Sequence, residues 1–144
     1  MRCESGNPCI MGCNRIENGY NFAYDCSTDT YIKLCFFDRD TLELKEEIPL
    51  KKRMGTVHSV CVCDDNIERM LYCYKADDEY IVDPYAKAVT GCEVFGVEGE
   101  NTLHLSPVKL ESFNWEGDVP LHLPYNDCVF YKLNVRGFTK SRSS

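Results

Sequence analysis

Residues 71–86 read Leu71-Tyr-Cys-Tyr-Lys-Ala-Asp-Asp-Glu-Tyr-Ile-Val-Asp-Pro-Tyr-Ala86, and this stretch decides the fold of the chain. The pattern predicts a β-hairpin, with one strand over residues 70–76, a turn at Asp77-Asp78 and a shorter strand that reaches Val82. Proline lacks the N–H that a sheet ladder needs and restricts the residue before it, so Asp83-Pro84 should end the pairing. Four tyrosines lie here, either as core residues or as a flat platform for a sugar ring or a base.

Short strand-like runs separated by turns precede this hairpin. Residues 21–26 and 42–50 alternate apolar and polar side chains, and residues 31–37 and 56–63 are dense in β-formers. The charged face of residues 42–50 is typical of an edge strand, and residues 31–37 read as a central strand covered on both faces. About seven short strands with regular turn signals and no long helical period predict an all-β antiparallel sandwich.

The sequence pattern changes on both sides of the predicted sandwich. Residues 1–17 read as an irregular N-terminal segment, residues 18–90 as the sandwich, and residues 91–128 as a linker or extension. Residues 129–144 begin with a strand-like run over residues 129–135, for which the sandwich has no obvious partner. We therefore expect one orphan terminal strand.

Bulk composition excludes several classes of function. The chain has 144 residues, a net charge of −7, and only 16 Lys and Arg residues that do not cluster. Nucleic acid is therefore not an expected partner, because phosphate binding needs a basic face. No apolar run is long enough to span a membrane, and the N-terminal residues lack the apolar region of a signal peptide. We expect a cytoplasmic protein that does not bind membranes.

The ten cysteines are interpreted as reduced thiols rather than as a disulfide framework. Cys35, Cys61, Cys63 and Cys73 lie inside apolar strand patterns, where a free thiol acts as a small hydrophobic side chain. No Cys-x-x-Cys pair points to zinc, and no glycine-rich loop points to a phosphate cofactor, so we predict neither a metal nor a cofactor. A Cys–His nucleophile pair stays open, although no pattern favours it.

Aromatic residues supply the candidate binding site. Tyr80 and Trp115 could stack on the C–H face of a sugar, with Lys75 and the neighbouring Tyr74 beside Tyr80. The alternative for Tyr80 is a core or edge tyrosine, and for Trp115 it is a packing anchor of the long connection. No catalytic residue is predicted.

Several blocks together resemble a known family. The blocks are Asn18-Gly-Tyr-Asn-Phe-Ala23, Ile32-Lys-Leu-Cys-Phe-Phe-Asp38, Tyr72-Cys-Tyr-Lys75 and Val82-Asp-Pro-Tyr-Ala86. They are similar to the N-terminal family-48 carbohydrate-binding module of glycogen debranching enzymes, isoamylases and type I pullulanases. Phe113-Asn-Trp-Glu-Gly-Asp118, Pro124-Tyr-Asn-Asp127 and Val129-Phe-Tyr-Lys-Leu-Asn-Val-Arg-Gly-Phe-Thr-Lys140 look like the entry into the family-13 catalytic barrel of the same enzymes.

The resemblance implies an immunoglobulin-like sandwich followed by the first strand of a (β/α)8 barrel. It implies that the chain is an excised or truncated piece, because a barrel needs about 250 residues. The family's catalytic aspartate and glutamate lie on later barrel strands and have no counterpart here. Tyr80 stands where glycogen-binding members carry tryptophan. Their sugar-contacting lysine falls on Cys73, with Lys75 two residues further on.

Two functional hypotheses follow. The first is a non-catalytic module of an α-1,6-debranching hydrolase that binds α-glucan weakly or braces the missing catalytic barrel. It implies no hydrolysis by this chain alone. The second is an independent immunoglobulin-like module that binds a protein partner and has no affinity for sugar. The sequence leaves open whether the parent enzyme would have pullulanase or isoamylase specificity.

Overall fold

The computed structural model describes residues 1–26, 31–91, 103–110, 112 and 114–140. The chain divides into two compact units, Met1–Glu111 and Ser112–Ser144. Parts of the predicted extension and of the terminal segment lie outside the described residues, namely residues 92–102, 111, 113 and 141–144.

The first unit is built from short strands. In chain order they are β1 (Cys3–Ser5), β2 (Gly12–Ile16), β3 (Gly19–Asp25), β4 (Ile32–Phe37), β5 (Leu44–Pro49), β6 (Lys51–Met54), β7 (Val57–Val62), β8 (Leu71–Ala76), β9 (Glu79–Ile81) and β10 (Ser106–Pro107). A 3₁₀ helix covers Asp65–Arg69. The second unit contains a 3₁₀ helix at Tyr125–Asp127 and a short α-helix, α1, at Val135–Phe138.

Two antiparallel sheets form a sandwich, which confirms the predicted fold class. The first sheet has the order β1-β7-β3-β2, with β6 also paired to β7. The second has the order β10-β8-β4-β5, with β9 paired to β8. The central position of β4 and the edge position of β5 agree with the sequence patterns. Among the described residues, no helix is long and apolar enough to cross a membrane.

Strands β8 and β9 form the predicted hairpin of residues 71–86. Tyr74 is paired with Ile81, and Ala76 with Glu79, across the turn at Asp77-Asp78. Asp77 adopts a φ of 52°, a left-handed conformation that aspartate tolerates better than most side chains. The hairpin ends before Pro84, as predicted.

The core between the sheets is aromatic. The ring of Phe22 on β3 meets Phe36 at 5.5 Å and Tyr72 at 5.1 Å, both edge to face. Edge-to-face contacts suit the ring quadrupole and add to the hydrophobic effect. Tyr72 and Tyr74 are buried on the inner face of β8, so two of the four hairpin tyrosines are core residues.

Asp83 anchors the exit from the hairpin. Its carboxylate is buried and accepts hydrogen bonds from the Tyr72 hydroxyl at 2.7 Å and from the Tyr85 amide at 2.8 Å. Burial raises the pKa of Asp83 above its ordinary value, while the two hydrogen bonds oppose that shift. The Asp-Pro pair therefore does more than stop a strand, because its carboxylate satisfies the hydroxyl of a core tyrosine.

A second apolar cluster lies on the outer face of the second sheet. Cys35, Phe37, Leu71 and Cys73 are buried there with Leu105. The chain thus returns after residue 102 to cover this face, and Ser106–Pro107 then pairs with β8 as β10. The sandwich consequently extends into the region predicted as linker.

Two local predictions are wrong. Residues 1–17 are not irregular, because they contain β1, which pairs with β7, and β2, which pairs with β3. Residues 51–54, between two predicted strands and not predicted to be a strand themselves, form β6 at the edge of the first sheet. These strands are short and polar, so their sequence shows little alternation, and pairing with a neighbouring strand is what orders them.

The predicted terminal strand over residues 129–135 is also absent. Residues 129–134 have no regular structure, and Val135–Phe138 is helical, with the Asn134 side chain accepting from the Gly137 amide. A strand needs a neighbour for its N–H and C=O groups. In the described part of the chain no segment pairs with these residues.

Candidate functional site

The candidate site lies on the outer face of the second sheet, and we call it the Tyr80 surface. It consists of Tyr80, Lys75, Lys33, Glu47 and the underlying Phe37. Side chains alternate between the faces of a strand, so the burial of Phe36 and Tyr74 in the core turns Phe37 and Lys75 outward. Lys75 is paired with Tyr80 on one side and Lys33 on the other, which places the three side chains in one row.

Tyr80 is half-buried at this surface. It is 41% exposed, and the edge-to-face contact with Phe37 has a centroid distance of 5.7 Å. The Lys75 Nζ lies 5.3 Å from the centroid of the Tyr80 ring, within the range of a cation–π contact. Phe37 and Lys75 therefore hold the ring in place without burying it.

Glu47 bridges the two lysines of the Tyr80 surface. One carboxylate oxygen accepts from Lys33 Nζ at 2.5 Å, and the other lies 3.6 Å from Lys75 Nζ. The hydrogen bond from Lys33, with the positive charges of both lysines, lowers the pKa of Glu47 below its ordinary value. The same hydrogen bond raises the pKa of Lys33.

The lowered pKa of Glu47 predicts a loss of stability in acid. A carboxyl group whose pKa is lower in the folded state than in the unfolded state stabilises the fold above its unfolded pKa. That contribution should disappear as the pH falls through the folded pKa, roughly between pH 5 and pH 3. Glu47→Gln should therefore flatten the pH dependence of urea denaturation in this window. The matched control Glu43→Gln, on the exposed partner of Lys45, should not. Parallel curves for wild type and Glu47→Gln would contradict this assignment.

The Tyr80 surface has the chemistry that sugar binding needs. A half-exposed aromatic ring offers an apolar face to the C–H groups of a pyranose. The lysine ammonium groups can donate to sugar hydroxyls, and the carboxylate of Glu47 can accept from them. The two kinds of group are adjacent here and belong to one sheet.

Tyr74 does not belong to this surface, which corrects its prediction as a candidate ligand contact. It is fully buried, and its hydroxyl donates to the Ala23 carbonyl across the sandwich at 3.4 Å. Cys73, at the position where the resemblance expects lysine, is likewise fully buried, and burial raises the pKa of its thiol to about 12. Lys75 is the only cation on β8.

Trp115 belongs to the second unit. It begins a turn in which the Asp118 amide donates to the Trp115 carbonyl at 2.8 Å. Glu116 and Gly117 both adopt positive φ in this turn, at 51° and 87°. The indole is 65% exposed and lines a shallow cavity of about 310 Å³ with Asp118, Val119 and Pro120. Trp115 is thus an exposed residue of the second unit.

Sequence reasoning missed Lys33, Phe37 and Glu47 as members of the site. The alternation of residues 42–50 predicts an exposed position for Glu47 on a charged strand face, yet Glu47 lies between Lys33 and Lys75 of neighbouring strands. The available signal was strand parity, because Lys33 and Phe37 alternate with the core residues Ile32, Leu34 and Phe36. The register that brings Glu47 beside Lys33 and Lys75 could not be read from one strand alone.

Among the described residues, the thiols offer no comparable site. The sulfur atoms of Cys61 and Cys63 lie 3.7 Å apart on one face of the first sheet. Within the described ranges, no three His, Cys, Asp or Glu side chains come together to hold a metal ion.

Known proteins are similar to this chain over nearly its whole length. No family model matches the chain. Isoamylase 1 of the rice chloroplast (Oryza sativa subsp. japonica) is 33% identical over 168 aligned positions, which cover 99% of this chain and 21% of that protein. The chain is a homologue of one segment of the α-glucan debranching enzymes.

Solved pullulanase structures contain a segment of similar fold. The pullulanase of Anoxybacillus sp. LM18-11 superposes with a TM-score of 0.54 over 77% of this chain and 14% of its own, at 23% identity. Its complex with maltotetraose gives a TM-score of 0.50 over 59% of this chain and 13% of its own, at 25% identity. The chain spans about a fifth of the length of the isoamylases that it matches.

Proposed function

We propose that the chain is a non-catalytic module of an α-glucan debranching enzyme and that it binds α-glucan through the Tyr80 surface. The observation that carries the proposal is the half-exposed Tyr80 ring beside Lys75 and Glu47, on the sandwich of a debranching-enzyme homologue. The pullulanase with the same fold is complexed with maltotetraose, which supports a maltooligosaccharide as the ligand class. Such a site would hold substrate near the enzyme and would leave hydrolysis to another domain.

The small size of the surface suggests weak binding. One aromatic ring is accessible, and aromatic contacts contribute about 0.5–1.5 kcal/mol beyond area burial. Lys75 and Glu47 already form an ion pair at 3.6 Å, so a sugar hydroxyl must replace part of that interaction. Affinity in the millimolar to high micromolar range is therefore expected.

A specific observation favours a second role for residues 112–140, as a contact for a catalytic barrel. Large apolar side chains are exposed along this segment, among them Val119, Leu121, Leu123, Tyr125, Val129, Phe130 and Tyr131. Contiguous exposed apolar residues are typical of interaction surfaces. The debranching enzymes that match this chain are about five times as long as the matched segment, and we propose that their remaining chain supplies the partner.

The glucan-binding proposal predicts that Tyr80→Ala weakens maltoheptaose binding about tenfold, equivalent to about 1.4 kcal/mol. The loss follows from removal of the ring on which the sugar stacks. Tyr85→Ala is the matched control, because Tyr85 is 55% exposed, lies in the same unit and is not part of the Tyr80 surface. Isothermal titration calorimetry on the two variants and on the wild type makes the comparison.

Equal affinities for Tyr80→Ala and wild type would contradict glucan binding at this surface. No detectable maltoheptaose binding by the wild type would favour the alternative, an immunoglobulin-like module that binds a protein partner. The cytoplasmic location inferred from the sequence stays a prediction, and the rice relative is named as chloroplastic.

A further inference from the structure

A second cavity, of about 390 Å³, opens at the edge of the sandwich in the first unit. Residues of β2, β3 and the 3₁₀ helix Asp65–Arg69 line one part of it, and residues 107–110 line another. Three of its lining residues are cations, namely Arg15, Lys87 and Lys109, and one is a carboxylate, Glu68. This excess of positive charge is local, because the chain as a whole carries a net charge of −7.

The three cations differ in how far they are neutralised. Lys109 pairs with Glu68. Arg15 pairs at 2.5 Å with Asp65, which does not itself line the cavity. The Lys87 Nζ donates to the Asn14 side-chain oxygen at 3.2 Å. Within the described part of the chain, no carboxylate pairs with Lys87. Lys87 therefore presents a positive charge that nothing described neutralises.

The remaining walls of the cavity are suited to an organic ligand. Pro107, Val108 and Leu110 form an apolar side. The Arg15 guanidinium lies 5.0 Å from the centroid of the Tyr20 ring. The Tyr20 hydroxyl donates a hydrogen bond to the Glu68 carboxylate at 2.8 Å. These contacts fix both Arg15 and Glu68 before any ligand arrives. The volume lies within the range of small-molecule sites.

We propose that this cavity binds a small organic phosphate of the size of a hexose phosphate. A phosphate monoester carries a charge of about −1.5 to −2 at neutral pH and three strong acceptor oxygens, which suits Lys87 with Arg15 and Lys109 around it. The apolar C–H face of the sugar would lie against Pro107 and Val108. This site is separate from the Tyr80 surface, and the inference does not rest on glucan binding there.

A titration of the full chain with glucose 6-phosphate, measured by calorimetry at low salt, tests the inference. Saturable binding is expected, and it should weaken as salt is added, because exposed charges are screened. Lys87→Glu should weaken binding at least about tenfold, and Lys87→Met should weaken it less. Lys45→Glu is the matched control, because Lys45 is an exposed lysine of the same unit outside the cavity and makes the same change of charge.

Three results would overturn the inference. They are no binding of glucose 6-phosphate by the wild type, equal losses in Lys87→Glu and Lys45→Glu, and equal affinity for glucose 6-phosphate and unphosphorylated glucose. Unchanged circular dichroism spectra of the variants would confirm that they fold. Maltoheptaose binding in the Lys87→Glu variant reports on the Tyr80 surface separately, so failure of one proposal can be told from failure of the other.

A further arm distinguishes two sources of the phosphate. Glucose 6-phosphate represents a free sugar phosphate, and a maltooligosaccharide phosphorylated at one glucose represents a phosphate ester carried on glucan. Tighter binding of the oligosaccharide that Lys87→Glu abolishes and Tyr80→Ala leaves intact would identify the glucan-borne ester, and tighter binding of the monosaccharide would identify the free sugar phosphate. Either result supports a phosphate-ester site in this cavity.

Discussion

Phe22→Ala is expected to lower the free energy of unfolding by about 3–5 kcal/mol. The Phe22 side chain is fully buried, and its ring contacts both Phe36 and Tyr72 of the opposite sheet. Its removal leaves a cavity between two sheets that are each held by their own hydrogen-bond ladders and cannot collapse fully. Urea denaturation followed by circular dichroism measures the change.

Tyr31→Ala is the control for this prediction, because Tyr31 is 59% exposed. Its effect should stay within about 0.5 kcal/mol, as for other surface substitutions. If Phe22→Ala does not fold, Phe22→Leu gives a milder test, since it leaves a smaller cavity. A loss below about 1 kcal/mol for Phe22→Ala would show that the aromatic core does not hold the sheets together.

Gly19→Ala is expected to destabilise the sandwich by about 2–4 kcal/mol, the sum of overpacking and backbone strain. Gly19 begins β3 with a φ of 150°, and a Cβ there would lie 2.2 Å from the Val62 carbonyl oxygen. That oxygen belongs to the backbone of β7 and cannot rotate away as a side chain could. Thermal unfolding of the variant would show the loss.

Gly55→Ala separates the steric part of this effect from the backbone part. Gly55 also has a positive φ, at 56°, but a Cβ there would meet no atom within 4 Å. It should therefore cost only about 1 kcal/mol, the backbone strain of a left-handed alanine. Equal effects of the two substitutions would mean that the close approach of β3 to β7 is not a constraint on the fold.

The hairpin of residues 71–86 could be predicted because its signals are local. Alternation fixes its strands, Asp77-Asp78 fixes its turn and Asp83-Pro84 fixes its end. The burial of Tyr72 and Tyr74 follows from parity once the inner face is known. The sequence pattern does not predict strands β1, β2 and β6. These segments are extended because they pair with β7 and β3, and their own composition does not favour a strand.

Residues 129–135 show the opposite error. Their composition favours a β-strand, but a strand forms only where a neighbouring strand accepts its hydrogen bonds. The predicted strand is therefore absent. The same reasoning explains the incomplete prediction of the site. Tyr80 and Lys75 belong to one hairpin and were found together, whereas Glu47 comes from β5 and joins them only through the register of β4 with its two neighbours.

A titration of the ¹⁵N-labelled chain with maltoheptaose, followed by nuclear magnetic resonance, tests the central claim most directly. Binding at the Tyr80 surface predicts that the largest amide shifts fall on β9 and on the neighbouring residues of β8, β4 and β5, with Tyr80 and Lys75 among them. The amides around Tyr85 and those lining the cavity of Lys87 should shift little. No shifts at saturating ligand, or shifts that cluster away from Tyr80, would contradict the assignment of this surface as an α-glucan site.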